Sequence, residues 1–543
     1  MSIFIGGAWP YANGSLHIGH IASLLPGDIL ARYYRQIGEK VLYVSGSDCN
    51  GTPIAIQAKK EGKNTKEIAD YYHKEFEYCF QKLGFSYDLY TRTDSYEHSL
   101  NIQKILNELY DKNLLYSKKT NQAFCIVDNQ FLPDRLVEGY CPNCGTPARG
   151  DQCEKCSTIL DPIELKNKTC KLCGNPPEIR QTEHLYFKFS YFQKDIEKYF
   201  ENAKTKYKWR PNAINITNRY LKEGLRDRAV TRDLSIGVDV PIKGFENKKV
   251  YVWFEAVSGY LSASKIWGDL HNKDISLWWS KDTISYYIHG KDNVPFHTLI
   301  WPTIMKGLNM HSLPKHIVSS EYMTLEKKKI STSKNWAVWI PDLIEKYHPD
   351  SIRYFFTINA PEYKDADFSW REFFYSHNSE LLGAFGNLVN RTFKFIEKYY
   401  SYDIPNVKSN ENLTNKISLL YQELSVKIEN AHLKHTLEEI FELVRETNQY
   451  FDKEKPWITI KENKEKCDET ISNCILVIQN LAQLLHPFLP FSTNEIKSML
   501  NLSDYSWSPI LSIPNRLEYV KTLFERLDFK SIEEEHYKLL NEV

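Results

Sequence analysis

The sequence has no apolar run as long as a membrane helix needs, which is about 18 residues or more. Its first residues, MSIFIGGAWPYANG, lack the charged segment and the continuous apolar stretch of a signal peptide. We therefore expect a cytoplasmic protein with no membrane segment. The formal net charge is zero. A zero net charge neither supports nor excludes a nucleic-acid partner, because binding needs only a local basic surface.

The sequence does have great length and clustered cysteine. Its 543 residues are too many for one ordinary core, so about two to four domains are expected. Seven of the 11 cysteines lie between Cys125 and Cys173. An odd total, several CxxC pairs and no export signal indicate metal binding in a reducing compartment and argue against disulfides.

Alternating strand and helix patterns predict an α/β fold, with a doubly wound, Rossmann-like parallel sheet. The first loop leads into a helix that Ser15 could cap and that Pro26 and Gly27 break or kink. From residue 373 onward, apolar residues recur at helical spacing, which predicts a helical bundle. The predicted strands are 2–7, 40–46, 249–254, 283–290 and 315–320.

These patterns also suggest domain limits. The predicted α/β domain has two halves, with a cysteine-rich insertion between them, and is followed by a lysine-rich loop region, the bundle and a helical tail. In chain order, the predicted limits are 1–118, 119–180, 181–320, 321–372, 373–510 and 511–543.

The stretch PYANGSLHIGH, residues 10–20, places His17 and His20 on the first turn of a helix that follows a strand. Free backbone N–H groups and the positive end of the helix dipole make this a natural phosphate site. Gly19 lets a phosphate approach closely because it has no side chain. The alternative is that one histidine caps a turn and the other packs in the core, which is commoner for an isolated HxxH pair.

The pair is not isolated. PYANGSLHIGH resembles the HIGH signature of class I aminoacyl-tRNA synthetases, and its surroundings are similar to the methionyl-tRNA synthetase family. The resemblance covers nearly the whole chain. It extends through SGSDCNGTPI, FLPDRLVEGYCPNCG, YVWFEAVSGY, IHGKDNVPFH, KKISTSKNW and KPWITI.

The resemblance implies a methionine–tRNA ligase. ATP, entering with Mg²⁺, and L-methionine would form methionyl-adenylate and pyrophosphate, and methionine would then pass to the 3′ end of tRNA(Met). His17 and His20 would stabilise charge on the ATP phosphates. The attacking group would be the carboxylate of methionine, which is already ionised at pH 7, so no enzyme base is required.

The family also implies an ATP site and a loop of phosphate-binding lysines. The loop reads Lys329-Ile-Ser-Thr-Ser, and Thr332 stands where the family usually has a second lysine. A lysine run is usually a solvated surface, but its place after a strand favours a phosphate clamp. We hypothesise that Lys329 carries most of the charge role, with Lys334 or Lys328 substituting for the missing lysine. The other implied residues are Gly19, Lys291 for phosphate, Asp292 for ribose, Arg232 for pyrophosphate, Ser331 and Ser333.

An unbranched thioether suits an aromatic pocket, through buried area and sulfur–ring contact. By resemblance, Asp48 at the end of the second strand would bind the α-ammonium group of methionine. Two residues depart from many relatives, Trp9 where an aliphatic side chain is usual and Val257 where some have proline. The implied pocket is Ala8, Trp9, Tyr11, Asp48, Trp253, Ala256, Val257, Tyr260, Phe296 and His297.

Two zinc sites are predicted in the insertion. Two CxxC pairs eight residues apart have the spacing of a closed, structural zinc site, formed by Cys141, Cys144, Cys153 and Cys156. A third pair, Cys170 and Cys173, lacks two ligands. Cys125 and Asp128 stand where some relatives in the family carry a CxxC or CxxH pair, so the resemblance implies a second site formed by Cys125, Asp128, Cys170 and Cys173. The alternative is that Asp128 is solvated and this second site is absent or closed by water. Neither zinc would be catalytic, because four protein ligands leave no open position.

The helical half is similar to the anticodon-binding domain of the family. Asn387 and Arg391 share a helix face, and Trp457 could stack on an unpaired base of a CAU anticodon. The alternative for Trp457 is packing against its own helix. Because the chain lacks the extra C-terminal domain of some relatives, we expect a monomer.

Two other functions compete with this interpretation. A class I synthetase for leucine, isoleucine or valine would carry a large editing insertion, whereas the insertion here is short and cysteine-rich. A cysteine enzyme would need an open zinc in its active site, but all paired cysteines lie in the insertion. A non-catalytic, zinc-containing tRNA-binding protein is favoured only by Thr332. The presence of His17, His20, Asp48 and Asp292 counts against it.

Overall fold

The computed structural model describes residues 1–133, 136–149, 153, 155, 160–407 and 410–541. Apolar strands and amphipathic helices alternate in the first part, as the sequence patterns predict. Its elements are β1 (Ser2–Gly7), α1 (Ile18–Gln36), β2 (Lys40–Ser47), α2 (Thr52–Glu61), α3 (Thr65–Lys82), β3 (Leu89–Arg92) and α4 (Tyr96–Asp111).

The cysteine-rich insertion is carried on a long antiparallel ribbon of two strands, β4 (Leu115–Cys125) and β9 (Glu178–Phe187). Leu115 and Phe187 lie opposite each other at the base of the ribbon, in the core of the α/β domain. A separate small sheet, β7-β6-β8, lies within the insertion. The strands are β4 (Leu115–Cys125), β5 (Gln130–Phe131), β6 (Val137–Tyr140), β7 (Pro147–Arg149), β8 (Lys166–Cys170) and β9 (Glu178–Phe187).

After the insertion the chain completes a five-stranded sheet, ordered β14-β13-β1-β2-β3, in which all pairs are parallel. In such a sheet ligands bind at the carboxyl ends, where the strand order reverses, here beside β1. The elements are α5 (Gln193–Lys206), α6 (Pro211–Glu223), β10 (Arg228–Ala229), β11 (Thr231–Arg232), β12 (Lys249–Val250), α7 (Val252–His271), β13 (Ile284–Gly290), a π-helical turn (Phe296–Ile300), α8 (Trp301–Gly307) and β14 (His316–Ser320).

The last part is a small sheet followed by helices packed on one apolar core, which confirms the predicted bundle. No described helix is long and apolar enough to span a membrane. The elements are β15 (Met323–Leu325), β16 (Lys328–Lys329), α9 (Ile340–Lys346), α10 (Pro349–Ile358), β17 (Ala366–Phe368), α11 (Trp370–Tyr375), a π-helix (Ser376–Gly386), α12 (Asn387–Tyr400), α13 (Glu411–Glu429), α14 (Leu433–Glu454), α15 (Pro456–Glu462), α16 (Lys464–Leu485), α17 (Pro490–Leu500) and α18 (Phe529–Asn541).

The cap of α1 differs from the prediction. Helix α1 begins at Ile18 and is capped by His17, not by Ser15. The reason is tertiary: Ile340 N donates to Leu16 O at 2.8 Å and Ile18 N donates to Val338 O at 3.1 Å. These bonds hold the backbone extended until Ile18, so the helix cannot begin earlier.

Three other local predictions were wrong in part. Helix α1 runs unbroken through Pro26, where the core buries the surrounding turn and Gly27 lies against the Tyr43 ring. The strand predicted at 249–254 is only β12, because Val252 starts the buried helix α7, and short apolar runs fit either element. The tail predicted as helical from 511 is helical only over α18.

A buried ion pair joins the α/β domain to the bundle. Arg353 on α10 and Asp28 on α1 are both fully buried, with Nη2 of the arginine 2.7 Å from Oδ2 of the aspartate. Arg353 also donates to the backbone carbonyls of Phe488, Pro487 and Leu83. One guanidinium thus satisfies oxygens from the α1 helix, the α3–β3 connection and the α16–α17 connection.

Replacing Arg353 by methionine should lower the free energy of unfolding by about 3–5 kcal/mol, because buried Asp28 loses one of its two arginine partners and three buried carbonyls lose their donor. The measurement is urea denaturation. Arg445→Met is the matched control, since Arg445 pairs with Glu380 at 2.9 Å on the surface and should cost about 0–1 kcal/mol. Equal losses for the two variants would contradict the proposed weight of the buried pair.

Candidate active site

The two histidines of the first loop form a reciprocal cap at the start of α1. Nδ1 of His17 accepts from Gly19 N, and Nδ1 of His20 accepts from His17 N, both at 3.1 Å. The ring centroids are 4.0 Å apart. A Cβ on Gly19 would come within 2.9 Å of the His17 ring, so a side chain at this position would displace the cap.

This capping decides what the histidines can offer to a ligand. Burial lowers the pKa of His20 to about 4, and burial together with His20 lowers the pKa of His17 well below its usual value. Both rings are therefore neutral at pH 7. Because each Nδ1 accepts a backbone proton, each proton is assigned to Nε2, which leaves two Nε2–H donors for an oxyanion.

The lysine-rich loop is brought beside these histidines by backbone pairing. His17 forms an isolated β-bridge with Trp339, and Ile330 in the loop lies 3.8 Å from the Cβ position of Gly19. The loop itself is closed by a bridge between Ser331 and Trp336. Residues 332–334 between them, including Ser333 and Lys334, form one 3-10 turn.

At the carboxyl end of β13, two predicted ATP ligands already have partners. Lys291 Nζ pairs with Glu321 at 2.6 Å and with Asp365 at 3.2 Å. Asp292 accepts from the Tyr322 hydroxyl at 2.6 Å. The ring of Tyr322 lies under Lys291 at 3.8 Å and under Lys329 at 5.9 Å. Tyr322, which the sequence motifs did not single out, thus joins the Lys291–Asp292 turn to the lysine loop.

Asp48 follows β2 and is almost completely buried, with 1% of its surface exposed. Its backbone pairs with the first loop through a bridge to Tyr11. Its Oδ1 accepts from Asn50 N at 3.3 Å and from the Thr93 hydroxyl at 3.4 Å. Burial, and then the charge of Glu255, raise the pKa of Asp48 well above its ordinary value. Because burial and Glu255 disfavour the ionised form of Asp48, a cationic ligand beside it would stabilise that form.

The predicted methionine pocket is assembled from the β1 loop, α7 and the π-helical turn. Trp253 stacks on Phe296 with ring centroids 4.1 Å apart, and the Tyr11 ring meets Trp253 edge-on at 6.0 Å. The Tyr260 hydroxyl and Nε2 of His297 are 2.8 Å apart. Ala8, Ala256 and Val257 also lie on these segments; α7 buries the last two, and Ala8 N donates to Ile288 O.

Trp9 is accommodated by two glycines. A Cβ on Gly46 would come within 2.3 Å of the Trp9 ring, and one on Gly259 within 3.0 Å. The indole therefore lies flat between β2 and α7. It reaches Tyr260 at 6.4 Å and His98 at 6.2 Å between ring centroids. Trp9, a predicted residue of the pocket, fits here because Gly46 and Gly259 have no side chains.

Arg232 lies on β11. Its Nη1 donates to the carbonyls of Ala229 and Thr231 at 2.9 Å each. Its guanidinium stacks on Tyr251 at 3.9 Å, and Tyr251 is the residue that precedes α7. These contacts orient the arginine on the segment that leads into the pocket helix.

The four residues of the second predicted zinc site meet in the folded insertion. Ligand atoms of Cys125, Asp128, Cys170 and Cys173 all lie within 4.8 Å of one another. Sγ of Cys125 is 3.4 Å from Sγ of Cys173 and 3.2 Å from Oδ2 of Asp128. A tetrahedral zinc with bonds of about 2.3 Å to sulfur separates its ligands by about 3.7 Å, so the set fits zinc.

The other oxygen of Asp128 is held from outside the insertion. Lys59 on α2 pairs with Oδ1 of Asp128 at 3.1 Å, and Ile56 on the same helix packs against the insertion core. A charged partner of this kind orients a metal-ligating carboxylate.

The first predicted site is described in part. Cys141, Cys144 and Cys153 form a second group with ligand atoms within 4.8 Å of one another. The sulfurs of Cys144 and Cys153 are 3.5 Å apart. Cys156, the fourth predicted ligand, lies outside the described residues. Both cysteine groups could therefore hold zinc.

Comparison with known proteins bears on this site. A family model described as "tRNA synthetases class I (M)" matches residues 3–393, and one described as "Anticodon binding domain of methionyl tRNA ligase" matches residues 405–536. A methionine–tRNA ligase of Streptococcus pneumoniae (strain CGSP14) is 59% identical over 539 residues, 99% of each chain. One of Bacillus mycoides (strain KBAB4) is 58% identical over 543 residues, 100% of each chain.

The chain belongs to the class I methionyl-tRNA synthetase family.

A solved structure agrees with this fold. A Mycobacterium tuberculosis methionyl-tRNA synthetase bound by methionyl-adenylate matches with a TM-score of 0.81 and 20% sequence identity, covering 97% of this chain and 100% of that chain. At this identity the likeness shows the fold alone. It confirms the predicted arrangement of α/β domain, insertion and helical domain as that of a methionyl-tRNA synthetase.

The predicted anticodon residues cluster at one end of the bundle. Asn387 is exposed at the start of α12, and Arg391 one turn later pairs with Asp452 at 2.8 Å. The Arg391 guanidinium lies over the Phe451 ring at 4.2 Å, and Phe451 lies 6.2 Å from the half-exposed Trp457. Phe451 is buried, so the exposed Trp457 is the ring of this pair that is suited to stacking on an unpaired base.

Sequence motifs alone missed several members of this synthetase site. Tyr322, Glu255 and His98 do not stand at the spacing of any recognised motif. Each contacts a residue of a quoted motif: Asp292, Asn50 and Trp9, respectively. Glu255 lies in the quoted motif YVWFEAVSGY. A carboxylate in an otherwise apolar helical run was the available signal, because such a residue is rarely buried unless it has a partner.

Proposed function

We propose that this chain activates L-methionine with ATP to methionyl-adenylate and pyrophosphate, and then transfers methionine to the 3′ end of tRNA(Met). The observation that carries the proposal is the convergence of three groups at one edge of the parallel sheet. The capped histidines, the lysine loop and the buried Asp48 are joined there by backbone bridges. Their chemistry matches phosphate, pyrophosphate and ammonium in turn.

In the proposed reaction the methionine carboxylate attacks the α-phosphorus of ATP. A bond forms between a carboxylate oxygen and this phosphorus, and the bond from the phosphorus to pyrophosphate breaks. His17 and His20 donate through Nε2–H to the phosphate oxygens, where negative charge grows. Neutral imidazoles suit this role because each already carries a proton on Nε2 and can donate it in a hydrogen bond without a change of protonation state. Gly19 gives the phosphate its close approach, and magnesium enters with ATP to neutralise the phosphate charge.

The nucleotide and its leaving group are bound by the surrounding turns. Asp292 binds the ribose and Lys291 a phosphate, after ATP replaces their present partners Tyr322, Glu321 and Asp365. Lys329, Ser331, Ser333 and Lys334 close on the departing pyrophosphate, with Arg232 as a further contact. Mobile cations on a loop are suited to such a step because they act as the leaving group separates.

Methionine occupies the aromatic pocket with its ammonium group on Asp48. The side chain is enclosed by Tyr11, Trp253, Phe296 and Trp9. Nδ1 of His297 is 2.8 Å from the Asn293 carbonyl and therefore donates to it, so its Nε2 accepts from the Tyr260 hydroxyl. The proton of Tyr260 is thus already engaged, which favours a weakly accepting thioether over a strongly hydrogen-bonding side chain.

The helical domain binds the CAU anticodon through Asn387, Arg391 and Trp457, and both zinc sites are structural. The cytoplasm as compartment and the monomer as the state in solution remain predictions from the sequence.

The proposed function is tested by ATP–pyrophosphate exchange with each amino acid in turn, with magnesium and without tRNA. Methionine-dependent exchange is expected, followed by charging of tRNA(Met). Exchange with another amino acid would contradict the substrate. Absence of exchange from folded, zinc-loaded protein would favour a non-catalytic tRNA-binding protein.

Lys329→Ala should lower the rate of adenylate formation about a hundredfold, because it removes a cation that stabilises charge only in the transition state. The KM for methionine should change little. Lys327→Ala, which removes another exposed lysine of the same loop, is the matched control. An unchanged rate in Lys329→Ala, or an equal fall in both variants, would contradict the special role of Lys329.

Metal analysis of the purified chain should find about two zinc ions per chain, since both cysteine groups have ligand spacing for zinc. Asp128→Ala should lose one of them on challenge with a chelator. Glu178→Ala, which removes an exposed carboxylate from the same insertion, should keep both. A native chain with a single zinc would overturn the two-site assignment.

A further inference from the structure

Beside the proposed methionine pocket, four buried side-chain atoms have no hydrogen-bond partner within the described part of the chain. They are Nε1 of Trp9, both ring nitrogens of His98 and Oε2 of Glu255. His98 on α4 and Glu255 on α7 are both completely buried. Buried polar groups in folded proteins are almost always paired, so such a cluster calls for a functional explanation.

Glu255 reaches the substrate-binding loop through one side chain. Asn50 donates from Nδ2 to Oε1 of Glu255 at 2.5 Å, and also to the Thr93 carbonyl at 3.1 Å. The backbone N–H of the same asparagine donates to Oδ1 of Asp48 at 3.3 Å. Glu255 therefore holds Asn50, and Asn50 holds the carboxylate that is proposed to bind the ammonium group.

His98 approaches the same oxygen of Glu255 that accepts from Asn50. Its Nε2 lies 3.6 Å from Oε1 of Glu255, close enough for an ion pair when the ring is protonated. The indole of Trp9 lies next to His98, with ring centroids 6.2 Å apart. One oxygen of Glu255 is thus approached by an amide and an imidazole, which restrict the position of the carboxylate.

We propose that Glu255 is a positioning residue for amino-acid binding, holding the Asp48 carboxylate in place through Asn50 and itself held by His98. The proposal rests on the proposed function, because it takes Asp48 as the partner of the α-ammonium group. The negative charge of Glu255 acts on Asp48, where the cation would bind. The ammonium group of the substrate relieves the repulsion between the two carboxylates, so binding of the amino acid is favoured in a loop that is already ordered.

The test compares Glu255→Ala and Glu255→Gln in methionine-dependent ATP–pyrophosphate exchange with the full, zinc-loaded chain. Glu255→Ala should raise the KM for methionine about tenfold, because Asn50 loses its acceptor. The KM for ATP and kcat should stay near those of the native chain. Glutamine keeps an acceptor oxygen for Asn50 and should restore most of the loss. Glu97→Gln, on the exposed face of α4 next to His98, is the matched control and should match the native chain.

The pH dependence of the KM for methionine is a second readout, and it depends on the charge of Glu255. As the pH falls, protonation of Asp48 should raise the KM for methionine. Because Glu255 helps to raise the pKa of Asp48, this rise should begin at lower pH in Glu255→Gln than in the native chain. The charged or titratable groups that face Asp48 and its loop from the elements around it stay unchanged in this variant: Arg92, Asp94, His98 and, through Ser47, His73.

Three results would overturn the proposal. They are an unchanged KM for methionine in Glu255→Ala, an equal rise in the KM for ATP, and a pH profile that does not move in Glu255→Gln. A purely structural role would lower thermal stability without separating methionine from ATP. Failure of the proposed function itself is distinguishable, because the native chain would then show no methionine-dependent exchange.

Discussion

The buried carboxylate of Asp28 holds the catalytic helix in register with the rest of the molecule. Burial opposes its ionisation, yet Arg32 and Arg353 hold the pKa of Asp28 well below its usual range. Ser86 adds two hydrogen bonds of 2.6 Å from its backbone and its hydroxyl. Since α1 begins with the capped histidines, fixing Asp28 near its middle fixes the direction of the Nε2–H donors. The ion pair also joins this helix to α10, and so to the helical domain. A buried pair of this kind contributes geometry more than net stability.

The phosphate site is built by segments that are distant in sequence. Backbone pairing of residues 16–18 with 338–340 delivers the lysine loop to the start of α1. Meanwhile Glu321 and Tyr322 satisfy Lys291 and Asp292. These pairs resemble the ligand in charge: carboxylates stand where phosphates would bind the lysine, and a hydroxyl stands where the ribose would bind the aspartate. Lys291 and Asp292 are therefore held by protein partners, and ATP bound as proposed would exchange one set of charge-assisted hydrogen bonds for another.

At the proposed amino-acid site, in contrast, the electrostatic repulsion between two buried carboxyl groups is not fully compensated. Asp48 and Glu255 are buried near each other, and the described residues around them compensate only in part, through Asn50, Thr93 and His98. Such an arrangement costs stability in the free protein, and a cation bound at Asp48, as proposed, would recover part of it. Trp9 lies next to this cluster, where Gly46 and Gly259 have no side chains to obstruct its ring.

Much of this protein followed from the sequence, because its motifs are local. Strand β1, the CxxC pairs, and the His17–His20 spacing each lie within a few residues, where periodicity and ligand geometry act directly. The fold class and family were accessible for the same reason.

Tertiary structure decided what depends on distant neighbours. His17 rather than Ser15 caps α1 because residues 338–340 hold the preceding backbone extended, and α1 continues through Pro26 because the core packs around it. Asp128 joins the cysteines only because the β4–β9 ribbon folds Cys170 and Cys173 back upon it, while Lys59 holds its second oxygen. The role of Glu255 could not be read from spacing at all, since its partners Asn50 and His98 come from other elements and are brought together only when the sheet and its helices pack.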